Sequence, residues 1–206
     1  DGNIIDEWTS TKEPHIIKGL IEGESYTLYE KYAPDAFVIS NKVEFTVTED
    51  KETQEIKMID KIVEVVKTDF VTGEEIEGAK LQVVDENNNI IDEWISTKEP
   101  HKVVGLEENK KYKLIELISP YSYQVAEEIE FTVTEGKTTQ RIDMKDMPIL
   151  TNIRVIKIDS ETKETIKEKF VFGIYEDSDC TKLIKEIKSN KEDGFITFED
   201  LRYGVF

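Results

Sequence analysis

Three ionisable residues stand at the ends of apolar stripes, where a hydrophobic side chain would be expected. In a half-buried strand, residues two apart share a face. On that spacing Val63, Val65 and Lys67 share one face, Tyr112, Leu114 and Glu116 a second, and Ile142, Met144 and Asp146 a third. Lysine, glutamate and aspartate almost never go inside unless paired, and an unpaired buried ion is costly. Three readings are open. Each stripe could run past the edge of its sheet and leave the charge in water. The three groups could form a buried ion cluster, which often returns little net stability. Or they could react. Desolvation raises a carboxyl pKa and lowers that of a lysine. A buried lysine can thus become a neutral amine, which is a nucleophile. A protonated glutamate can polarise a neighbouring carboxyl and carry protons. Attack of the Lys67 amine on the Asp146 carboxyl would expel water and leave an amide. A fold that holds the reactants together supplies the effective molarity such a step needs.

The segments that must position these groups read as strands. Residues 62–69, 79–85, 90–95, 112–117, 128–134 and 138–146 are short and rich in Val, Ile, Thr and aromatics. Between them lie the turn clusters VTGEE, DENNN, SPYS and TEGK. No stretch carries a capped helical period of more than a turn or two. Short strands at this spacing predict an all-β chain of immunoglobulin-like sandwich modules.

The chain also repeats itself. IIDEWTSTKEPH at 4–15 returns as IIDEWISTKEPH at 90–101. A shift of 86 residues aligns 3–60 with 89–146 without a gap, and about half the positions are identical. The period suits a small β domain in tandem. It divides the chain into the back of one copy (1–60), a complete copy (61–146) and the front of a third (147–206). The chain therefore reads as a piece of something longer. The charged ends recur with the copies. Tyr26, Leu28 and Glu30 share a face, as do Ile56, Met58 and Asp60, and Ile153, Val155 and Lys157. Recurrence favours the chemical reading over a chance overrun of the sheet edge.

Composition narrows the function. The 206 residues carry 45 acidic and 27 basic side chains, a formal charge of −18. Such a surface repels phosphates, which argues against nucleic acid and against anionic membrane surfaces. One cysteine, Cys180, rules out a disulfide framework within the chain. No apolar run approaches the ~20 residues of a membrane span, and no signal peptide is visible.

The segments VVKTDFVTGEEIEGAKLQVVD (65–85), YKLIELISPYSYQVAEEIEFTV (112–133) and IDMKD (142–146) resemble the CnaB-type domain, also called the SpaA or prealbumin-like pilin domain, of Gram-positive surface proteins. The resemblance covers essentially the whole chain. It implies prealbumin-like β-sandwich modules, one complete and two partial. It also implies a cross-link between a first-strand lysine and a last-strand Asn or Asp, assisted by a glutamate. On these positions Lys67 is the amine, Asp146 the acyl partner and Glu116 the catalytic acid and base. Glu30 and Asp60 match in the first copy, Lys157 in the third. Asp at the acyl position means that water leaves rather than ammonia. The family's Ala-Pro-x-Gly-Tyr reads APDAF at 33–37 and SPYSY at 119–123, a departure that should affect a turn rather than the chemistry.

His15 and His101 recur in KEPH, but each stands without Cys or a second His nearby, so a loop hydrogen bond is expected rather than a metal. DENNN and DSETKE lack the ligand spacing of a calcium loop and read as turns. Trp8 and Trp94 are expected at equivalent strand positions, in packing between sheets, with sugar stacking as the alternative. Cys180 reads as a loop thiol. No motif for turnover of an external substrate is present, and no cofactor or metal is expected.

The expectation is a mechanical one. The modules would form the stalk of a cell-wall-anchored, extracellular adhesin or pilin, with neighbouring repeats as partners and a host matrix protein or glycan engaged through other regions. The alternatives are a ligand-binding module and a non-catalytic spacer of a large secreted enzyme. A Lys157 of one molecule reaching Glu30 and Asp60 of another is a further option, disfavoured because the two fragments overlap in the repeat.

Overall fold

The computed structural model describes residues 2–34, 36–49, 53–134, 139–189 and 193–204. Its named elements are thirteen strands: β1 (Ser25–Leu28), β2 (Val43–Thr46), β3 (Ile62–Asp69), β4 (Lys80–Asp85), β5 (Ile90–Ile95), β6 (His101–Lys102), β7 (Lys111–Ile118), β8 (Ile129–Thr132), β9 (Thr139–Asp146), β10 (Leu150–Ile156), β11 (Val171–Tyr175), β12 (Leu183–Lys188) and β13 (Phe195–Arg202). No helix occurs among the described residues. The complete copy consists of a three-stranded sheet in the order β6-β3-β9 and a four-stranded sheet in the order β5-β4-β7-β8. The all-β sandwich read from the sequence is the architecture observed. The strand starting at 138 is described from Thr139 onward.

Why these residues make these strands is visible in their burial. Val63, Val65, Leu81, Val83, Leu114 and Met144 are all buried, and the residues between them on β4, β7 and β9 are half-buried or exposed. Period-2 alternation of this kind buries one face of a pleated strand. β3 departs from it at its end, where Val65 to Asp69 are all buried. Here both faces are covered, which is unusual for a run containing Lys67 and Asp69.

Turn chemistry closes the strands. The DENNN hairpin is capped by Asp85, whose Oδ1 accepts the backbone N–H groups of Asn87 and Asn89, each at 2.8 Å. Asn88 takes the left-handed φ of 61° that the turn needs. After β3, Asp69 Oδ1 accepts from Val71 N–H at 2.7 Å and Thr72 N–H at 2.9 Å. Asp159 makes the same two bonds in the third copy, to Glu161 and Thr162. The altered Ala-Pro-x-Gly-Tyr motif does act on a turn. Ala36 and Ser122 occupy the glycine position with φ of 70° and 73°, a region that glycine enters without steric cost.

The chain divides into two compact units. One comprises Asp1–Val63, Lys102–Lys111 and Thr132–Gln140. Its apolar centre includes Val38, Val63, Val103, Leu106 and Val133, all fully buried. The other comprises Glu64–His101, Tyr112–Phe131 and Arg141–Phe206. It holds the β4, β7 and β9 core and, from the third copy, a cluster of Phe170, Ile196, Phe198 and Leu201.

Candidate functional site

Lys67, Glu116 and Asp146 meet. Each sits on an inward-facing position at or near the end of its strand, β3, β7 and β9 respectively, and β3 and β9 are neighbours in one sheet. Their exposures are 2%, 5% and 0%. Lys67 Nζ donates to Asp146 Oδ1 in a very close contact, and Glu116 Oε1 lies 3.0 Å from the same nitrogen. Glu116 is itself aimed by the loop before β8: its Oε2 accepts Ala126 N–H at 2.5 Å. The backbone is tied at the same place, since Phe70 N–H donates to the Asp146 carbonyl at 2.9 Å. The stripes therefore do not overrun the sheet, and the charges are not in water.

The electrostatics of the cluster are set by burial. Burial pushes the Asp146 carboxyl up to about 6; Lys67 draws it down and the charge of Glu116 raises it. Among the described residues, two buried side-chain oxygens have no hydrogen-bond partner, and both are here: Glu116 Oε1 and Asp146 Oδ2. Glu116 Oε1 still faces the Lys67 ammonium at 3.0 Å, so the buried acceptor that calls for an explanation is Asp146 Oδ2. A condensed amide would remove one carboxyl oxygen and make the other a carbonyl. In such a step the Lys67 nitrogen attacks Asp146 Cγ, Glu116 takes a proton from nitrogen and returns one to the departing oxygen, and water leaves. No metal or cofactor is needed for that balance.

In the first copy the matching carboxyls are also brought together. Ser40 N–H donates to Glu30 Oε2 at 3.0 Å, the counterpart of the Ala126–Glu116 bond 86 residues on. Burial raises the Glu30 carboxyl, Ser40 N–H opposes it, and the charge of Asp60 adds to the rise. Both residues are half-buried. In the third copy Lys157 is exposed, its ammonium 5.8 Å from the Phe170 ring centre. Glu30 and Asp60 thus lie together as Glu116 and Asp146 do, while Lys157 is exposed.

The repeated IIDEW–KEPH phrase has a different explanation. His15 stacks on Trp8 with ring centres 4.1 Å apart and bonds Asp6 Oδ2 through Nε2 at 2.8 Å. His101 does the same with Trp94 at 4.0 Å and Asp92 at 2.9 Å. The expected loop hydrogen bonds of the histidines are present. The expected core packing of the tryptophans is not: Trp8 is 37% exposed and Trp94 half-buried. Nor are the two on equivalent strands, since Trp94 lies on β5 but residues 4–9 form none. The indole's large flat face is satisfied by an imidazole rather than by the opposite sheet. The nine-residue spacing from Asp to His was the available signal. Cys180 is an exposed loop thiol between β11 and β12.

A second buried lysine–carboxylate pair was missed from sequence: Lys61 and Glu108, with side chains 8% and 8% exposed. Neither ends an apolar stripe, so the period-2 rule passes over both.

The family model described as SpaA, a prealbumin-like fold domain, matches residues 1–62 and again 61–148. Among solved structures the chain is similar to the Bacillus anthracis TIE protein, with 20% identity over 88% of this chain and 35% of that one, at a TM-score of 0.55. It is also similar to BcpA, the major pilin subunit of Bacillus cereus, with 19% identity over 43% of this chain and 30% of that one, at 0.38. The shaft pilin SpaA of Lactobacillus rhamnosus GG matches with 14% identity over 60% and 64% of the two chains, at 0.38. The likeness to the first of these, at this identity, shows the fold alone. The chain spans about a third of the length of the first two. No curated protein matches it.

Proposed function

The chain belongs to the SpaA prealbumin-like fold domain family, and from that premise we propose that it is a run of structural modules from the shaft or stalk of a Gram-positive surface adhesin or pilin. Its complete module is stiffened by an intramolecular Lys67–Asp146 amide that Glu116 helps to form. The reading makes it no enzyme in the ordinary sense, since the cross-link forms once and turns over nothing. The observation that carries it is the dry meeting of one amine and two carboxyls on the first, a middle and the last strand of one copy. A tie between first and last strands spans the two points where tension enters the module. Mechanical lifetime follows the unfolding rate, and a covalent tie holds the enclosed segment closed even after the strands separate. It does the work of a disulfide without cysteine. The surface of −18 net charge keeps a long array apart and soluble.

Force spectroscopy of the whole chain between handles tests this. Lys67 and Asp146 are 79 residues apart. With the bond in place, that segment adds no length on unfolding. In Lys67→Ala it adds about 27 nm, at roughly 3.3–3.6 Å per residue. Equal contour lengths for the two proteins would refute the mechanical role. The binding-module alternative is not favoured by the tryptophans, because a histidine already covers one face of each indole.

A further inference from the structure

Lys61 and Glu108 belong to the second copy, but the groups around them come from two copies. Within the unit that holds them, residues 38–41 of the first copy are stitched to this place by four hydrogen bonds. Val38 N–H donates to the Lys61 carbonyl at 2.8 Å, Ile39 N–H to the Leu106 carbonyl at 3.0 Å, and Glu108 N–H to the Ile39 carbonyl at 3.2 Å. The fourth is the side chain's own: Glu108 Oε2 accepts Asn41 N–H at 2.9 Å. Its other oxygen pairs closely with Lys61 Nζ, which also donates to the Thr134 carbonyl at 2.9 Å.

We propose that Lys61 and Glu108 form a buried ionic clamp that seats segment 38–41 of one copy on loop 106–108 of the next, making this junction a docked interface rather than a flexible linker. The partner surface is thus another copy of the same module. The contrast with Lys67 is chemical. There, Asp146 Oδ2 is buried without a hydrogen-bond partner. Here, the ammonium has a backbone carbonyl and the carboxylate a backbone N–H, partners that favour the charged forms. A buried ion pair is tolerated when its remaining donors and acceptors are satisfied in this way. Fully buried Val38, Val63, Val103, Leu106 and Val133 in the same unit strengthen the attraction by keeping the surroundings apolar.

The next junction keeps the backbone bond and changes the charges. Gln124 N–H donates to the Met147 carbonyl at 2.9 Å, the Val38–Lys61 bond moved on by 86 residues. Methionine stands in place of Lys61, and the ion pair is instead Asp69 with Arg202 at 2.7 Å. Each junction therefore carries its own charge pairing. The clamp gives the shaft reading its stiffness between modules and rests on that reading only for its purpose.

Amide hydrogen exchange on the whole chain tests it, using Lys61→Met, Glu108→Gln and the double variant Lys61→Met/Glu108→Gln. Each single change leaves one buried charge alone. It should speed exchange at Ile39, Asn41 and Glu108 by at least about tenfold, while Val83 in β4 stays as before. The double variant removes both charges, so its effect should fall well short of the two combined. Unchanged exchange at the three amides, or strictly additive effects, would overturn the clamp. So would a second water missing from the intact mass and restored by Lys61→Met, since the pair would then be covalent. If the Lys67 amide is absent instead, the mass shows no missing water at all, and the exchange result still stands.

Discussion

At the scale of single residues, Glu116 and Asp146 divide the labour by environment. Asp146 is the acyl partner in this account because burial holds its carboxyl up to about 6. The neutral acid is the form whose oxygen can leave as water. Glu116→Ala should keep the sandwich, since Leu114 and the rest of the β7 stripe remain, but slow bond formation enough to follow by intact mass over time. Glu116 contributes to that rise, so in the variant the rate should fall with increasing pH at a midpoint below the wild-type value of about 6, where the neutral acid is lost. A rate that is flat across that range would count against the assignment. These residues were legible because each broke a simple rule, a charge on an apolar face. Lys61 and Glu108 were not, because their burial comes from the meeting of two copies. No rule of periodicity within one strand contains that contact.

At the scale of elements, the end of β3 carries two tasks. Lys67 faces Glu116 and Asp146, and Asp69 caps the turn that follows and binds Tyr123 and Arg202. Burial pushes the Asp69 carboxyl up, but hydrogen bonds from Thr72, Tyr123, Arg202 and Val71 outweigh it and hold it at about 2, below its usual 3.8. A carboxyl depressed in the folded state adds stability above its unfolded pKa and loses it as pH falls through the folded one. The Arg202 contact should therefore weaken between pH 3.8 and about 2, and Arg202→Met should lessen that loss, read from acid titrations followed by near-ultraviolet dichroism. A titration with the same profile in both proteins would contradict the linkage. Packing makes a separate demand. Leu81 on β4 is fully buried, so Leu81→Ala should cost about 2–5 kcal/mol in urea unfolding, measured in the Lys67→Ala background so that no cross-link masks the loss. The strands themselves were readable because Val and Ile alternation and Asp-Asn-Gly turns point the same way. The phrase at 4–15 was not: residues 4–9 form no strand, whereas 90–95 of its twin pair with β4.

At the scale of the molecule, the proposed shaft role asks how tension would pass through modules whose chain has a single cysteine. On the proposed reading the amide would secure the inside of a module, and the charge pairs the passage from one to the next. Length, acidity and repetition made the array legible from the sequence alone. What a repeat period cannot reveal is how copies dock, since the residues that do so differ from one junction to the next. The proposed stiffening of the module depends on whether the Lys67 nitrogen and the Asp146 carboxyl carbon are bonded. The direct measurement is the intact mass of the folded and then denatured chain beside Lys67→Ala and Asp146→Ala. The bond predicts a wild-type mass short of its sequence by one water, with both variants at full mass. A wild-type chain at its full sequence mass would contradict it.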